Sequence, residues 1–299
     1  MVLASVAAAL TAGRANAQGS GSYDGPLVDA HTHFKAGLAP TIHELMALYD
    51  QVGIKGVLLF GEPWTEATRA RDAFPTRVVP FLAEGYANAI HPDSSYVHPA
   101  GLSGLLDANV VRGLGEVILR HSPYQLGALH GYAAAPANHV PADDPRLLQS
   151  YHLAGERGVA VNVHQEAAFA GELERALMAA PETTFVWAHA GHGPASVLDG
   201  MLRRNPNLMA DLSARSPWLG PGTVLLRGDG SLLPEWSRLL HEFPERIVVG
   251  LDLFVPEHYA AGYVGQMARY YRGLLGQLDR SVAELIGHQN AERIAPFAA

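Results

Sequence analysis

Apolar, β-branched runs punctuate this chain at intervals of roughly 20–40 residues, the rhythm of alternating strands and helices. They are Leu27–Phe34, Ile54–Phe60, Val78–Ala83, Val111–Ile118, Val159–His164, Thr184–His189, Asn207–Leu212 and Arg246–Asp252. Between them, Thr41–Gln51, Pro145–Arg157, Gly171–Ala180, Ala195–Arg204 and Pro234–Phe243 carry the apolar spacing of amphipathic helices. Val159–Val163 is almost continuously apolar, as a strand covered on both faces of a parallel sheet should be. Eight such units closing on themselves predict an α/β fold, a single-domain (β/α)8 TIM barrel over residues 27–299. An open doubly wound sheet fits less well, because no Gly-rich phosphate loop follows the first strand. The longest irregular piece, His121–Asp144, is long for a βα connection and reads as a lid or specificity loop.

The apolar runs stop at ionisable residues. The first ends in His31 and His33, the fourth in Glu116, the fifth in His164, the sixth in His189 and the eighth in Asp252. On a strand, His31 and His33 share a face with Cα atoms about 6.6 Å apart, within reach of one metal ion. Barrel active sites lie at the C-terminal strand ends, so the six residues are expected to converge there as ligands of a divalent ion. Each has a plainer reading taken singly: Glu116 pairing with Arg120, His164 or His189 capping a helix, Asp252 serving as an N-cap. The joint placement favours the metal.

Composition narrows the chemistry. The chain is 48% hydrophobic, has a formal net charge of −8, and contains 15 histidines and no cysteine. Thiolate sites are excluded, so a metal must rest on imidazole and carboxylate, the donor set of Zn²⁺, with Mn²⁺ or Fe²⁺ as alternatives. The acidic balance argues against a nucleic-acid partner, and the only leading apolar run, Val2–Leu10, is too short to span a bilayer. That run and the Ala15-Asn16-Ala17 triplet read as a signal peptide over residues 1–17, although no Lys or Arg precedes it. Residues 18–26 would then be a linker and the mature protein periplasmic or secreted.

The motifs Val-Asp-Ala-His-Thr-His (28–33), Gly-Glu-Val (115–117), Val-His (163–164), Ala-His-Ala-Gly (188–191) and Gly-Leu-Asp (250–252) resemble the amidohydrolase superfamily, more narrowly its amidohydrolase-related (amidohydrolase 2) branch. The tail Leu285–Ile294 is similar to that branch's closing Gly-Asn-Ala-x-Arg-hydrophobic helix. The resemblance implies that His31, His33 and His164 hold a metal with Asp252. It implies that His189 binds a second metal or hydrogen-bonds the attacking water. Glu116 stands where other members carry a carboxylated lysine, and matches the deoxyribonuclease-like branch, whose glutamate contacts metal. A site of one or two ions follows.

Such a set suits hydrolysis of a small ester, lactone or amide. Bound Zn²⁺ lowers a water's pKa to about 7 and polarises a carbonyl, and Asp252 can carry the water's proton to the leaving group. The resemblance also implies an alternative, because the same scaffold in that family hosts nonoxidative decarboxylases of aromatic or unsaturated acids, which need a basic residue on the carboxylate. A barrel that binds a ligand or metal without turnover is a third alternative. Arg120, Arg215 and Trp218 could grip and pack a small-molecule substrate, with His192 lining the pocket. Asp29, read as lying on the same strand face as His31, could orient it, as ligating imidazoles require a partner on the other nitrogen. Glu62 and Glu84 read as rim charges, Asp211-Leu212-Ser213 as structural support, and His91, His98, His121, His130 and His139 as surface residues.

Overall fold

Strands form where the apolar runs predict them, and the inward face of each changes character along its length. The computed structural model describes residues 21–83, 98–121, 138–217 and 224–298. Strands β1 (Leu27–Lys35), β2 (Ile54–Glu62), β3 (Val78–Leu82), β4 (Gly113–Ile118), β5 (Ala160–His164), β6 (Phe185–Trp187), β7 (Leu208–Asp211) and β8 (Ile247–Val248) pair in parallel in that order. Ala30 N donates to Val249 O at 2.9 Å, Asp252 N to His31 O at 2.7 Å and His33 N to Leu253 O at 2.9 Å, closing the barrel. Gly250 permits this approach, since a Cβ there would lie 2.6 Å from the His31 Cβ.

A helix follows every strand: α1 (Ile42–Val52), α2 (Trp64–Ala73), α3 (Pro99–Asp107), α4 (Pro145–Glu156), α5 (Ala170–Ala179), α6 (Ala195–Arg204), α7 (Pro234–Glu242) and α8 (Ala261–Leu275). Local chemistry sets their ends. Thr41 and Glu44 form a capping box at the start of α1, and Gly53, at φ 71°, stops it. Asp144 caps α4 ahead of Pro145. None of the described helices is long and apolar enough to cross a membrane.

Side chains alternate between two apolar layers. Val57, Leu59, Val161, Val163, Phe185, Trp187, Leu208 and Ile247 pack outward under the helices, whereas Leu58, Phe60, Ala160, Val186, Met209 and Val248 fill the interior. After Leu275 the chain turns through α9 (Arg280–Glu284) and a π-helical turn (Leu285–Gln289) into α10 (Asn290–Ile294). From there Ala291, Ile294, Ala295 and Phe297 pack on the interior layer and stop the N-terminal end of the barrel. Asn290 Nδ2 donates to Pro244 O and Ile247 O, each at 2.7 Å, fastening the stopper to the last strand.

Two bulges decide which residues point inward at the other end. In β1, two residues lie between Asp29 and Thr32 while one lies between their partners Val57 and Leu59, the signature of one extra residue. Before the bulge Val28 and Ala30 face in; after it His31 and His33 do. Asp29 therefore points outward, contrary to the expectation that it shares the face of His31. It accepts from Thr32 Oγ1 and Tyr49 OH at 2.5 Å, and from His31 N and Leu251 N. Burial raises the pKa of this carboxyl, and those donors act against the rise. In β4 the same slip occurs between Leu114 and Val117. There Gly115, at φ 142°, passes so close to β5 that a Cβ would lie 2.7 Å from the Asn162 Cβ.

Of the expected lid segment His121–Asp144, His121 and residues 138–144 are described, and Arg120–His121 pairs with Asn138–His139 as a short antiparallel ribbon. Residues 1–17, Glu84, His91, His130 and Trp218 lie outside the described residues.

Candidate metal centre

The strand-end residues meet at the C-terminal mouth of the barrel. Glu116 is the hub: Oε1 lies 2.9 Å from His164 Nδ1, 3.1 Å from His189 Nε2 and 3.7 Å from His31 Nε2, and Oε2 lies 3.3 Å from His33 Nε2. Asp252 Oδ1 sits 3.5 Å from His31 Nε2 and 3.8 Å from His33 Nε2. Two overlapping trios, His31–Glu116–His189 and His31–His33–Asp252, have all their ligand atoms within 4.8 Å of one another, and either could hold a metal. All six side chains are buried. His31 Nε2, at the junction of the trios, has no hydrogen-bond partner among the described residues. A buried imidazole nitrogen left in this state normally costs free energy, and a cation among these donors would remove the cost.

The outward nitrogens are each tethered. His31 Nδ1 meets Asp211 Oδ2 at 3.0 Å, His33 Nδ1 meets Glu62 Oε1 at 2.9 Å, and His189 Nδ1 meets Ser213 Oγ at 2.8 Å. Asp211 does more than support strand seven. Its two oxygens also accept from Asn162 Nδ2, His189 N and Ser213 N, each at 3.0 Å. Glu62 is likewise more than a rim charge, and it pairs with Lys35 Nζ at 2.9 Å. Reading every strand end by one rule would have found Glu62, which closes β2 as His164 closes β5.

The electrostatics favour the ionised forms of Glu116 and Asp211. Burial works upward on the Glu116 carboxyl, but the neighbouring His164 and His31 imidazoles and its hydrogen bonds hold it well below the usual range. Asp211 is depressed in the same way by His31 and His189. Burial works downward on His33, and the hydrogen bonds to Glu116 and Glu62 overcome it, lifting the pKa to about 9. His31 is raised well above its ordinary value by Asp211 and Glu116 against its burial.

His189 stands just past β6 on an unusual turn. His189, Ala190, Gly191 and His192 all have positive φ, between 48° and 64°. For the three residues with a Cβ this costs on the order of 3 kcal/mol together. Asp211 holds the His189 amide, and the Arg215 guanidinium donates to His189 O at 3.1 Å and Gly193 O at 2.9 Å. At 191 only glycine fits, because a Cβ would lie 2.2 Å from the Trp187 ring. The turn stacks His192 on His189 with ring centroids 4.6 Å apart. Burial, helped by His189 and His164, pushes the His192 pKa well down and keeps this ring neutral.

Arg215 is buried, stacked on Trp236 at 4.5 Å, and is engaged with that turn. Arg120 pairs with Glu172 at 2.8 and 3.0 Å rather than with Glu116. Asp252 caps no helix, since α8 begins at Ala261.

A sequence profile described as Amidohydrolase matches residues 134–297, more than half of the chain, including His164, His189 and Asp252. The chain belongs to the amidohydrolase 2 family. It is an enzyme of that family. No curated protein matches it significantly. Among solved structures it resembles an uncharacterised TIM-barrel protein from Bordetella bronchiseptica, with a TM-score of 0.62, 14% identity and coverage of 90% of this chain and 98% of that one. A putative 2-pyrone-4,6-dicarboxylic acid hydrolase from Pseudomonas putida gives 0.60 at 15% identity, covering 90% and 97%. A 2,6-dihydroxybenzoate decarboxylase, with its substrate bound, gives 0.55 at 14% identity, covering 90% and 98%. At these identities the likeness is one of fold.

Proposed function

We propose that this amidohydrolase uses a divalent ion to hydrolyse a small ester, lactone or amide at the barrel mouth. The observation that supports this reading is the meeting of six ligand-type side chains from five strands around the unpartnered His31 Nε2. In this reading His31, His33, His164 and Asp252 hold the ion. Glu116 and His189 complete a two-ion set, or His189 hydrogen-bonds the attacking water beside a single ion. Imidazole and carboxylate donors without cysteine suit Zn²⁺, with Mn²⁺ or Fe²⁺ as alternatives. Once bound, the ion supplies Lewis acidity that activates water near neutral pH and polarises the scissile carbonyl.

The chain's own residues do the rest. Asp252, the most exposed carboxylate of the cluster, accepts the proton of the attacking water and returns it to the leaving group. Asp211 and Glu62 fix the ring planes of His31 and His33 from behind. His192 stays neutral beside His189 and meets the substrate as a hydrogen-bonding group.

Decarboxylation is the second reading, favoured by the likeness in fold to the dihydroxybenzoate enzyme. It needs a cation on the departing carboxylate, and the engagement of Arg120 and Arg215 elsewhere weighs against it.

Metal analysis and turnover test the proposal together. The purified protein is expected to carry roughly one or two ions, and to lose them in the His31→Ala, His33→Ala double variant. Hydrolysis of aryl esters and lactones should vanish with a chelator and return with zinc. Retention of metal by the double variant, or turnover indifferent to chelation, overturns it. Export belongs to the same reading, and a mature N-terminus at Gln18 in the periplasm or medium is its test.

A further inference from the structure

Ahead of α7 the chain folds a tight hairpin over residues 225–233. Arg227 N donates to Ser231 O at 2.7 Å and Leu233 N to Leu225 O at 2.9 Å. Gln277, just past α8, latches this hairpin to the helix: its Oε1 accepts from Leu232 N at 2.7 Å and its Nε2 donates to Gly230 O at 3.0 Å. Tyr270 is anchored too, its OH donating to Arg215 O at 2.7 Å. Hairpin and helix are thus tied, yet between them lies a cavity of about 700 Å³ that none of the six ligand-type side chains lines. Its size falls within the range of small-molecule sites.

The lining divides by chemistry. Leu226 and Leu233 from the hairpin and Tyr270 from α8 give it apolar surface, while Arg227 from the hairpin and Arg269 and Gln266 from the helix give it two cations and an amide. Both arginines are exposed. Among the described residues neither guanidinium makes an ion pair or a hydrogen bond. A Cβ at Gly265 would lie 3.2 Å from Arg269 Nη1, so this side chain folds back along the helix. The nearby Asp229 carboxylate is occupied within the hairpin, accepting from Ser231 N at 2.9 Å and Ser231 Oγ at 2.6 Å. Those bonds, and to a smaller degree the Arg227 charge, hold its pKa below the ordinary value.

We infer that this cavity is a binding site of its own for an amphipathic organic anion: an apolar body carrying one carboxylate or sulfonate. The body removes the Leu226, Leu233 and Tyr270 surfaces from water. The acid group is received by guanidinium forks, whose planar donors match its oxygens. Two cations brought to one cavity by different elements repel each other, and an anion between them turns that repulsion into attraction. The site stands apart from the hydrolase reading, since neither metal nor turnover enters it.

Calorimetric titration of the purified protein with naphthalene-2-sulfonate tests this, because a sulfonate ligates metal poorly. One molecule per chain is expected to bind, about tenfold or more tightly than the neutral 2-(methylsulfonyl)naphthalene. Methanesulfonate, which has the charge without the body, should show no binding up to about 1 mM. The Arg227→Gln, Arg269→Gln double variant changes only exposed side chains and should melt as the parent does. It is expected to bind the naphthalenesulfonate about tenfold or more weakly and the neutral sulfone as before. Undiminished sulfonate binding by the double variant would place the ligand elsewhere and overturn the inference. So would methanesulfonate binding as tightly as the naphthyl compound, or no saturable naphthalenesulfonate binding below about 1 mM.

Discussion

The two ends of this barrel are made from the same strands and furnished in opposite ways. At the stoppered end Val28, Leu58, Val79 and Val248 meet Ala291, Ile294 and Phe297, and the polar groups there serve backbone, as Asn290 does for Pro244 and Ile247. At the mouth the same inward faces end in four histidines and two carboxylates. Backbone strain follows the same division. Five of the six described non-glycine residues with positive φ are His189, Ala190, His192, Ala214 and Asp252, all at the mouth. The sixth, Asn109 ahead of β4, is of a type that tolerates this conformation. One end stabilises the fold, and the other is held in shape against local preference.

The sharpest way to break that contrast is Asp211→Asn. It removes the charge facing His31 and weakens the grip on the His189 amide. Breaking a buried charged pair costs about 3 kcal/mol, and loss of such a partner weakens metal affinity about 10–100-fold. Denaturant unfolding and calorimetric metal titration should show both losses. Unchanged metal affinity would reduce Asp211 to a packing residue.

Asn290→Ala should act on the other end alone. It strips the side-chain donor from two carbonyls and is expected to cost about 2 kcal/mol, with metal content and kcat unchanged. A parallel fall in metal content would mean that the two ends are coupled.

The smallest effect belongs to Arg120→Ala, expected to cost at most about 1 kcal/mol because the pair is partly exposed. Burial works upward on Glu172, but Arg120 and Gln165 lower its pKa. The contribution is therefore complete above the ordinary glutamate value of about 4.3 and disappears as pH falls through the depressed one. Thermal melts of the two proteins should converge at low pH. A gap that widens on acidification would refute the assignment.

Much of this was legible in the chain. Strands buried on both faces announce themselves as continuous apolar runs, and an ionisable residue after such a run has one shared destination in a barrel. What escaped had weak local signals. Helix α2 buries only Ala67 and Ala70, side chains too small to make an apolar stripe. Strand alternation puts Asp29 on the face of His31, and a bulge between Asp29 and Thr32 breaks that alternation. Arg215 resembled a substrate clamp, and nothing in its neighbours along the chain discloses that its partners are the carbonyls of His189 and Gly193.

The turn at 189–192 also bears on any attempt to harden this enzyme against heat. Glycine at Ala190 would suit the local φ of 48° and relieve about 1 kcal/mol, so a screen for melting temperature would favour it. The same relief would loosen the seat of two imidazoles, trading alignment for toughness.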